Sequence, residues 1–164
     1  GEHNTVYNFE KEYRPKLYRR LREFVWIDAI HETLRTEPVV YDSQIEVTHR
    51  PESNHASRDL EALCRVGMKE EYLSKKLHHM YAMELFHSGT KEDFQRAIPV
   101  FEKTLLQEYR SLDEIKEAFC VLARGYRLSG EISKFFTFAL KDVASEGCAE
   151  ICCELGAYYE EKSA

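Results

Sequence analysis

Two clusters in this chain hold side chains able to bind metal or act as nucleophiles. The first is His78-His79 together with Glu84-x-x-His87. On a helix face these imidazoles and the carboxylate suggest a metal site. A complete site needs three or four convergent ligands, and this pattern alone does not supply them, so solvated or partly buried histidines are the expectation. The second cluster is Cys148, Cys152 and Cys153, with Cys148 and Cys152 one helical turn apart. The chain has five cysteines, an odd number, with no CxxC pair and no histidine at ligand spacing from the cluster. Buried thiols in a reducing cytoplasm are therefore expected. A small metal- or thiol-dependent regulator is the sharper alternative.

Both clusters fall on sequence with helical periodicity. Residues 72–107 read as two amphipathic helices separated by the polar turn Phe86-His87-Ser88-Gly89-Thr90. Leu73, Leu77, Met80, Tyr81, Leu85 and Phe86 form the apolar stripe of the first. Phe94, Ile98, Phe101, Leu105 and Leu106 form that of the second. Ala82 and Ala97 would let this pair approach closely. Pro99 should kink the second helix rather than start it, because Phe94 and Ala97 continue the stripe ahead of it. A helix from Ser53 or Asn54 to about Gly67 precedes the pair, with Leu60, Leu63, Cys64 and Val66 inward. After it, Ser111-x-x-Glu114 is a capping box opening a helix with Ile115, Phe119, Leu122, Ala123 and Tyr126, stopped at Ser129-Gly130. A helix from Glu131 to about Ala144 carries Ile132, Phe135, Phe136, Ala139, Leu140 and Val143, and Gly147 ends it. The last, Ala149 to Glu161, carries Ile151, Leu155, Tyr158 and Tyr159.

Three of these helices share a pattern of large, small, two variable, then large: Tyr81-Ala82-x-x-Leu85, Leu122-Ala123-x-x-Tyr126 and Leu155-Gly156-x-x-Tyr159. The small residues lie 41 and then 33 positions apart. The tetratricopeptide period is about 34, and a longer connection near residues 108–113 accounts for the first interval. The helical part thus resembles a divergent tetratricopeptide array of two repeats plus a final helix; a generic helical bundle is the alternative. Such stacks act as scaffolds and peptide-binding surfaces.

The net charge of −6 argues against nucleic-acid binding, which needs a basic footprint. No apolar run is long enough to span a bilayer, and no signal-peptide pattern opens the chain, so a cytoplasmic location is expected. The 164 residues suit one compact domain, or a small domain with an appendage.

The first fifty residues differ in texture. Phe24-Val25-Trp26-Ile27, Val39-Val40-Tyr41 and Ile45-Glu46-Val47-Thr48-His49 are β-prone, punctuated by Pro15, Pro38 and Pro51. Three or four short strands of this size cannot form a sheet with its own core. Trp26, with Ile27 and Ile30 near it, is expected in a core.

Arg14-Pro15-Lys16-Leu17-Tyr18-Arg19, then Trp26-Ile27-Asp28-Ala29-Ile30-His31-Glu32, then Ile45-Glu46-Val47-Thr48-His49 resemble, in that order, the end of the catalytic domain of bacterial family 2 glycosyltransferases. There an R-x-R/K-L-F/Y-R strand and a W-x-x-x-I/V-H-E strand are followed by I-x-x-x-H and a helical tail, often tetratricopeptide-like. The resemblance covers residues 13–60. It implies a mainly α fold: antiparallel helical hairpins stacked as a tetratricopeptide-like repeat (53–164), preceded by a few short β-strands (1–52) left from a glycosyltransferase-type sheet.

It also implies that this chain is a C-terminal fragment. The nucleotide-sugar half, with its acidic metal-binding motif, would lie upstream, since the chain has no Asp-x-Asp and no glycine-rich βα turn. Transfer of a sugar to an acceptor hydroxyl needs a base and charge neutralisation at the leaving diphosphate. The resemblance implies His31 and Glu32 near that chemistry and Arg14, Arg19 and Arg20 facing phosphate oxygens. A buried hydrogen-bonded pair at the sheet edge and a solvated strand face are the respective alternatives. No cofactor is expected in this chain, and a divalent cation, Mg or Mn, in the full enzyme. Alone, the chain should neither turn over nor bind nucleotide sugar. Its exposed strand edges would pair between two chains in a homodimer. A stand-alone tetratricopeptide-like interaction module, binding a protein or peptide without catalysis, is the competing expectation.

Overall fold

The structure, a computed structural model, describes residues 25–30, 32–35, 43–45, 56–145 and 147–163. The chain divides into two units, residues 1–50 and 51–164.

In the first unit, β1 (Val25–Ile27) pairs antiparallel with β2 (Thr33–Arg35), with Trp26 opposite Leu34. Asp28 turns the chain with φ of 70°, a conformation aspartate tolerates better than most residues. The expected single strand across Trp26–Glu32 is thereby corrected: it is a strand followed by a bend, with Glu32 outside both strands. Trp26 is 58% exposed, so it is not the core residue expected. Ser43–Ile45 is irregular, and Ile45 is exposed. The expected strand at residues 39–41, and the rest of that at 45–49, lie outside the described residues.

The second unit is six helices: α1 (Ala56–Lys69), α2 (Lys75–Ser88), α3 (Lys91–Leu105), α4 (Leu112–Ser129), α5 (Ile132–Val143) and α6 (Ala149–Ser163). The described chain is mainly helical. Local chemistry sets the boundaries. Ser74 caps α2 by accepting from the Leu77 amide. Thr90 and Asp93 form a capping box at α3, as Ser111 and Glu114 do at α4. Each satisfies amides the first turn leaves unpaired. Gly130 ends α4 at φ 79°, where a side chain would be strained. The expected N-cap of α1 lies outside the described residues. The turn between α2 and α3 is only Gly89-Thr90, because Phe86, His87 and Ser88 complete the last turn of α2.

Pro99 lies inside α3, which runs unbroken from Lys91 to Leu105. The cost is one missing bond to the Gln95 carbonyl.

Helix α4 is the centre of the unit. It packs against α3 and α5, and α2 and α6 flank it. Tyr126 shows how. Its ring stacks on Phe138 of α5 at 5.7 Å, and its hydroxyl donates to Glu102 of α3. Burial first, then Glu102, pushes this phenol up to about 12.

The close backbone approach is not between α2 and α3, as the alanines suggested. Both alanines are buried, yet α2 and α3 meet through rings: Phe101 on His78 at 4.8 Å and on Tyr81 at 5.3 Å, and Phe86 on Phe94 at 5.5 Å. The most extensive backbone contact is between α3 and α4. There Gly125 leaves room for Ile98, whose Cγ1 would lie 3.0 Å from an added methyl. On the other flank, Gly67 of α1 sits against Val100 of α3.

Candidate functional site

Of the residues placed near the glycosyl-transfer chemistry, Arg14, Arg19, Arg20 and His31 lie outside the described residues. Glu32 is exposed, just ahead of β2. The structure thus brings no part of that set together among the described residues.

What it does bring together is a polar seam across α2, α4 and α6. On α2, the expectation of solvated or partly buried histidines fails for His78, which is fully buried. Its Nδ1 lies 2.9 Å from Oε2 of Glu117 on α4, and the other carboxylate oxygen of Glu117 meets Nδ1 of exposed His79. Burial tends to raise the Glu117 carboxyl, but hydrogen bonds from His78 and His79 outweigh it and hold the carboxyl below its ordinary range. The Nε2 of His78 has no hydrogen-bond partner among the described residues. Glu84 bonds Ser88 within its own helix at 2.8 Å, and His87 is exposed, so the Glu84-x-x-His87 pattern does not converge with His78.

Between α4 and α6 the polarity reverses. Glu154 of α6, buried, accepts from Arg127 Nε at 2.7 Å and lies 3.4 Å from Arg124 Nε without hydrogen-bond geometry. Arg127 also reaches Glu161 at 2.6 Å. Arg124 stands over Phe86 at 5.2 Å and Phe94 at 5.1 Å, a cation–π contact that partly replaces its hydration.

A third polar group ties the α3–α4 connection to the start of α2. Arg110 donates to the Leu73 carbonyl at 2.9 Å, to Gln107 at 2.7 Å and to Glu114, and lies 4.0 Å over the Tyr72 ring. Burial tends to raise the Glu114 carboxyl. The Ser111 amide, Arg110 and the Ser111 hydroxyl outweigh it and hold the group at about 2.

The cysteines are arranged differently from the cluster in the sequence. Cys152 and Cys153 are exposed on α6, which corrects the expectation that they are buried. Cys148 instead meets Cys120 of α4, Sγ to Sγ 3.1 Å. Both are free thiols, Cys120 buried and Cys148 half-buried. Burial raises both thiols above their ordinary range; Cys148 adds to the rise at Cys120, while hydrogen bonds with Cys120 and the Ile151 backbone partly offset it at Cys148. The carboxylate of Glu150 completes a group whose ligand atoms lie within 4.8 Å of one another. Fully buried Asp142, near the end of α5, accepts from the Cys148 amide at 2.8 Å. Sequence spacing could not find Cys120, Glu117 or Glu154, because the partner of each lies 27 to 39 residues away, beyond its own helix. The one local signal is that His79, Cys120 and Cys153 each stand three residues ahead of the small residue of the repeated pattern.

A surface depression of about 330 Å³ lies between α1 and α3 and is lined by Cys64, Met68, Arg65, Glu61, Arg96 and Pro99. It lies apart from the seam. No family model, curated protein or solved structure matches this chain. No helix among the described residues is long and apolar enough to cross a membrane.

Proposed function

We propose that this chain is the C-terminal portion of a family 2 glycosyltransferase, an enzyme moving a sugar from a nucleotide-sugar donor to an acceptor hydroxyl. Its helical unit is a tetratricopeptide-like array that serves as scaffold or partner-binding surface. The order of the three N-terminal motifs, followed by a helical unit, carries the reading. Two of the three patterned triplets support the repeat, while the third, Leu155-Gly156-x-x-Tyr159, differs in that Gly156 and Tyr159 are exposed. Tyr81, Ala82 and Leu85 on α2 are all buried, and so are Leu122, Ala123 and Tyr126 on α4. In this reading the donor site and its Mg or Mn belong to an upstream domain, with His31, Glu32 and the three arginines at its border.

The test is calorimetric titration of this chain with nucleotide sugars. The expected result is no heat of binding; robust binding would place the donor site here and overturn the reading. The coding sequence ahead of Gly1 gives a second check. A strand followed by Asp-x-Asp is expected, and a different class of domain would sink the proposal.

A second reading, a stand-alone interaction module, is favoured by the self-contained packing of residues 51–164 around α4. Removing residues 1–50 separates the two. A module keeps its helices and its oligomeric state. If the strands belong to a wider sheet, the intact chain pairs through their edges and the truncated one becomes monomeric in sedimentation.

A further inference from the structure

We propose that Cys120, Cys148 and Glu150, with Asp142 beside them, form a binding site for a thiolate-preferring divalent cation, Zn²⁺. Two independent observations meet there. The first is convergence: two thiols 3.1 Å apart and a carboxylate oxygen, all mutually within 4.8 Å, drawn from α4, the α5–α6 connection and the first turn of α6. The second is an orphan. Asp142 is fully buried, and its Oδ2 is used by the Cys148 amide at 2.8 Å, but its Oδ1 has no hydrogen-bond partner among the described residues. A buried, unpaired carboxylate oxygen is costly, and a cation held by the neighbouring thiolates would offset that cost through its charge.

The donor set selects the ion. Thiolate sulfur favours zinc over magnesium or calcium, which take oxygen ligands. Zinc accepts a tetrahedron of sulfur and carboxylate oxygen. Three donors come from Cys120, Cys148 and Glu150, and water takes the fourth position; Asp142 lies outside that group and positions Cys148 through its amide. Zn–S bonds of about 2.3 Å in a tetrahedron require the sulfurs to be about 3.8 Å apart, so the pair must open slightly. Cys148 can make that adjustment: it follows Gly147, at φ 66°, and precedes α6. On binding, the two S–H bonds are replaced by two S–Zn bonds, and two protons leave to solvent. The ion would join α4 to the α5–α6 connection.

The experiment is titration of the reduced chain with Co²⁺, followed by Zn²⁺. One equivalent of Co²⁺ should give thiolate-to-cobalt absorption and tetrahedral d–d bands, both erased by one equivalent of Zn²⁺. Cys120→Ser and Cys148→Ser should abolish the thiolate band, while Cys152→Ser and Cys153→Ser should leave it unchanged. Glu150 is exposed, so Glu150→Ala does not threaten folding; it should weaken Zn²⁺ at least tenfold. No thiolate–cobalt band in the reduced wild-type chain overturns the site. So does a band that survives Cys120→Ser or depends on Cys152 or Cys153, and so does unchanged affinity in Glu150→Ala. A Cys120–Cys148 disulfide that forms in air, with no metal uptake after reduction, overturns it as well.

Discussion

Replacing Glu114 by glutamine should remove a stabilisation that belongs to its charge alone, and pH should reveal it. The carboxylate accepts from the Ser111 amide at 3.0 Å, from the Ser111 hydroxyl at 2.8 Å and from buried Arg110. Burial opposes its ionisation, yet these donors hold it at about 2, against an ordinary 4.5. At about 1.4 kcal/mol per pH unit, the depression is worth about 3 kcal/mol of folding free energy at neutral pH. The direction follows from which state takes the proton first. Above 4.5 both folded and unfolded chains are ionised and the whole stabilisation is present. As pH falls toward 2 the unfolded chain is protonated first, and the stabilisation drains away.

Glutamine is nearly isosteric and cannot ionise, so the variant lacks this term at every pH. The other carboxylates, Glu117 among them, titrate alike in both proteins and cancel in the difference. Urea unfolding followed by far-ultraviolet circular dichroism is the assay. With a urea slope of about 2 kcal/mol/M, the variant's midpoint should lie about 1.5 M lower at pH 7. At pH 3 the gap should shrink to about half. A gap of constant size between pH 7 and pH 3 would refute the reasoning. It would mean that glutamine disturbs packing, not charge.

Two further substitutions probe the helix contacts. Gly67→Ala would set a methyl 2.6 Å from Val100 Cγ1. It should cost about 1–3 kcal/mol by overpacking, and adding Val100→Ala should cost less than the two single changes together. Strict additivity in chemical denaturation would show that the helices separate freely there. Glu154→Ala leaves Arg127, which is 10% exposed, without its main partner. It should cost about 3 kcal/mol, and Arg127→Met with Glu154→Leu should recover most of it in thermal unfolding. Equal damage from the single and the double change would show that burial of apolar surface, and not the charge, sets the cost.

The helix ends were legible because capping is local. Ser111 and Glu114 lie within one turn, and Gly130 follows at once. The buried face of α3 was less so. Periodicity selected Ile98, Leu105 and Leu106, but Val100 and Thr104 are buried and Leu106 is 83% exposed. Helix α3 is covered on two sides, by α1 at Gly67 and by α4 at Gly125, so its covered arc is turned from the stripe a single partner would require. Leu106 is the C-cap, past the last helical turn. On α5, Phe138 meets Phe119 of α4, Phe135 meets Tyr158 of α6 and Ala139 is buried, while Leu140 and Val143 are exposed. An apolar side chain is eligible for burial, but only a packed neighbour covers it.

The candidate site was hidden for a different reason. His78 and Glu117 are 39 residues apart, Arg127 and Glu154 27, and Cys120 and Cys148 28. No local pattern pairs residues at such distances. The seam has a logic that composition does not show. Apolar burial is non-directional, so the aromatic contacts would tolerate a slip of one helix along another. The carboxylate of Glu117 reaches two imidazoles of α2, and that of Glu154 meets two guanidinium groups of α4. A slip of one turn, about 5.4 Å, would break both sets and strand Glu154 inside. These polar pairs therefore fix where the helices stop sliding, and the rings between them supply the attraction that holds them there.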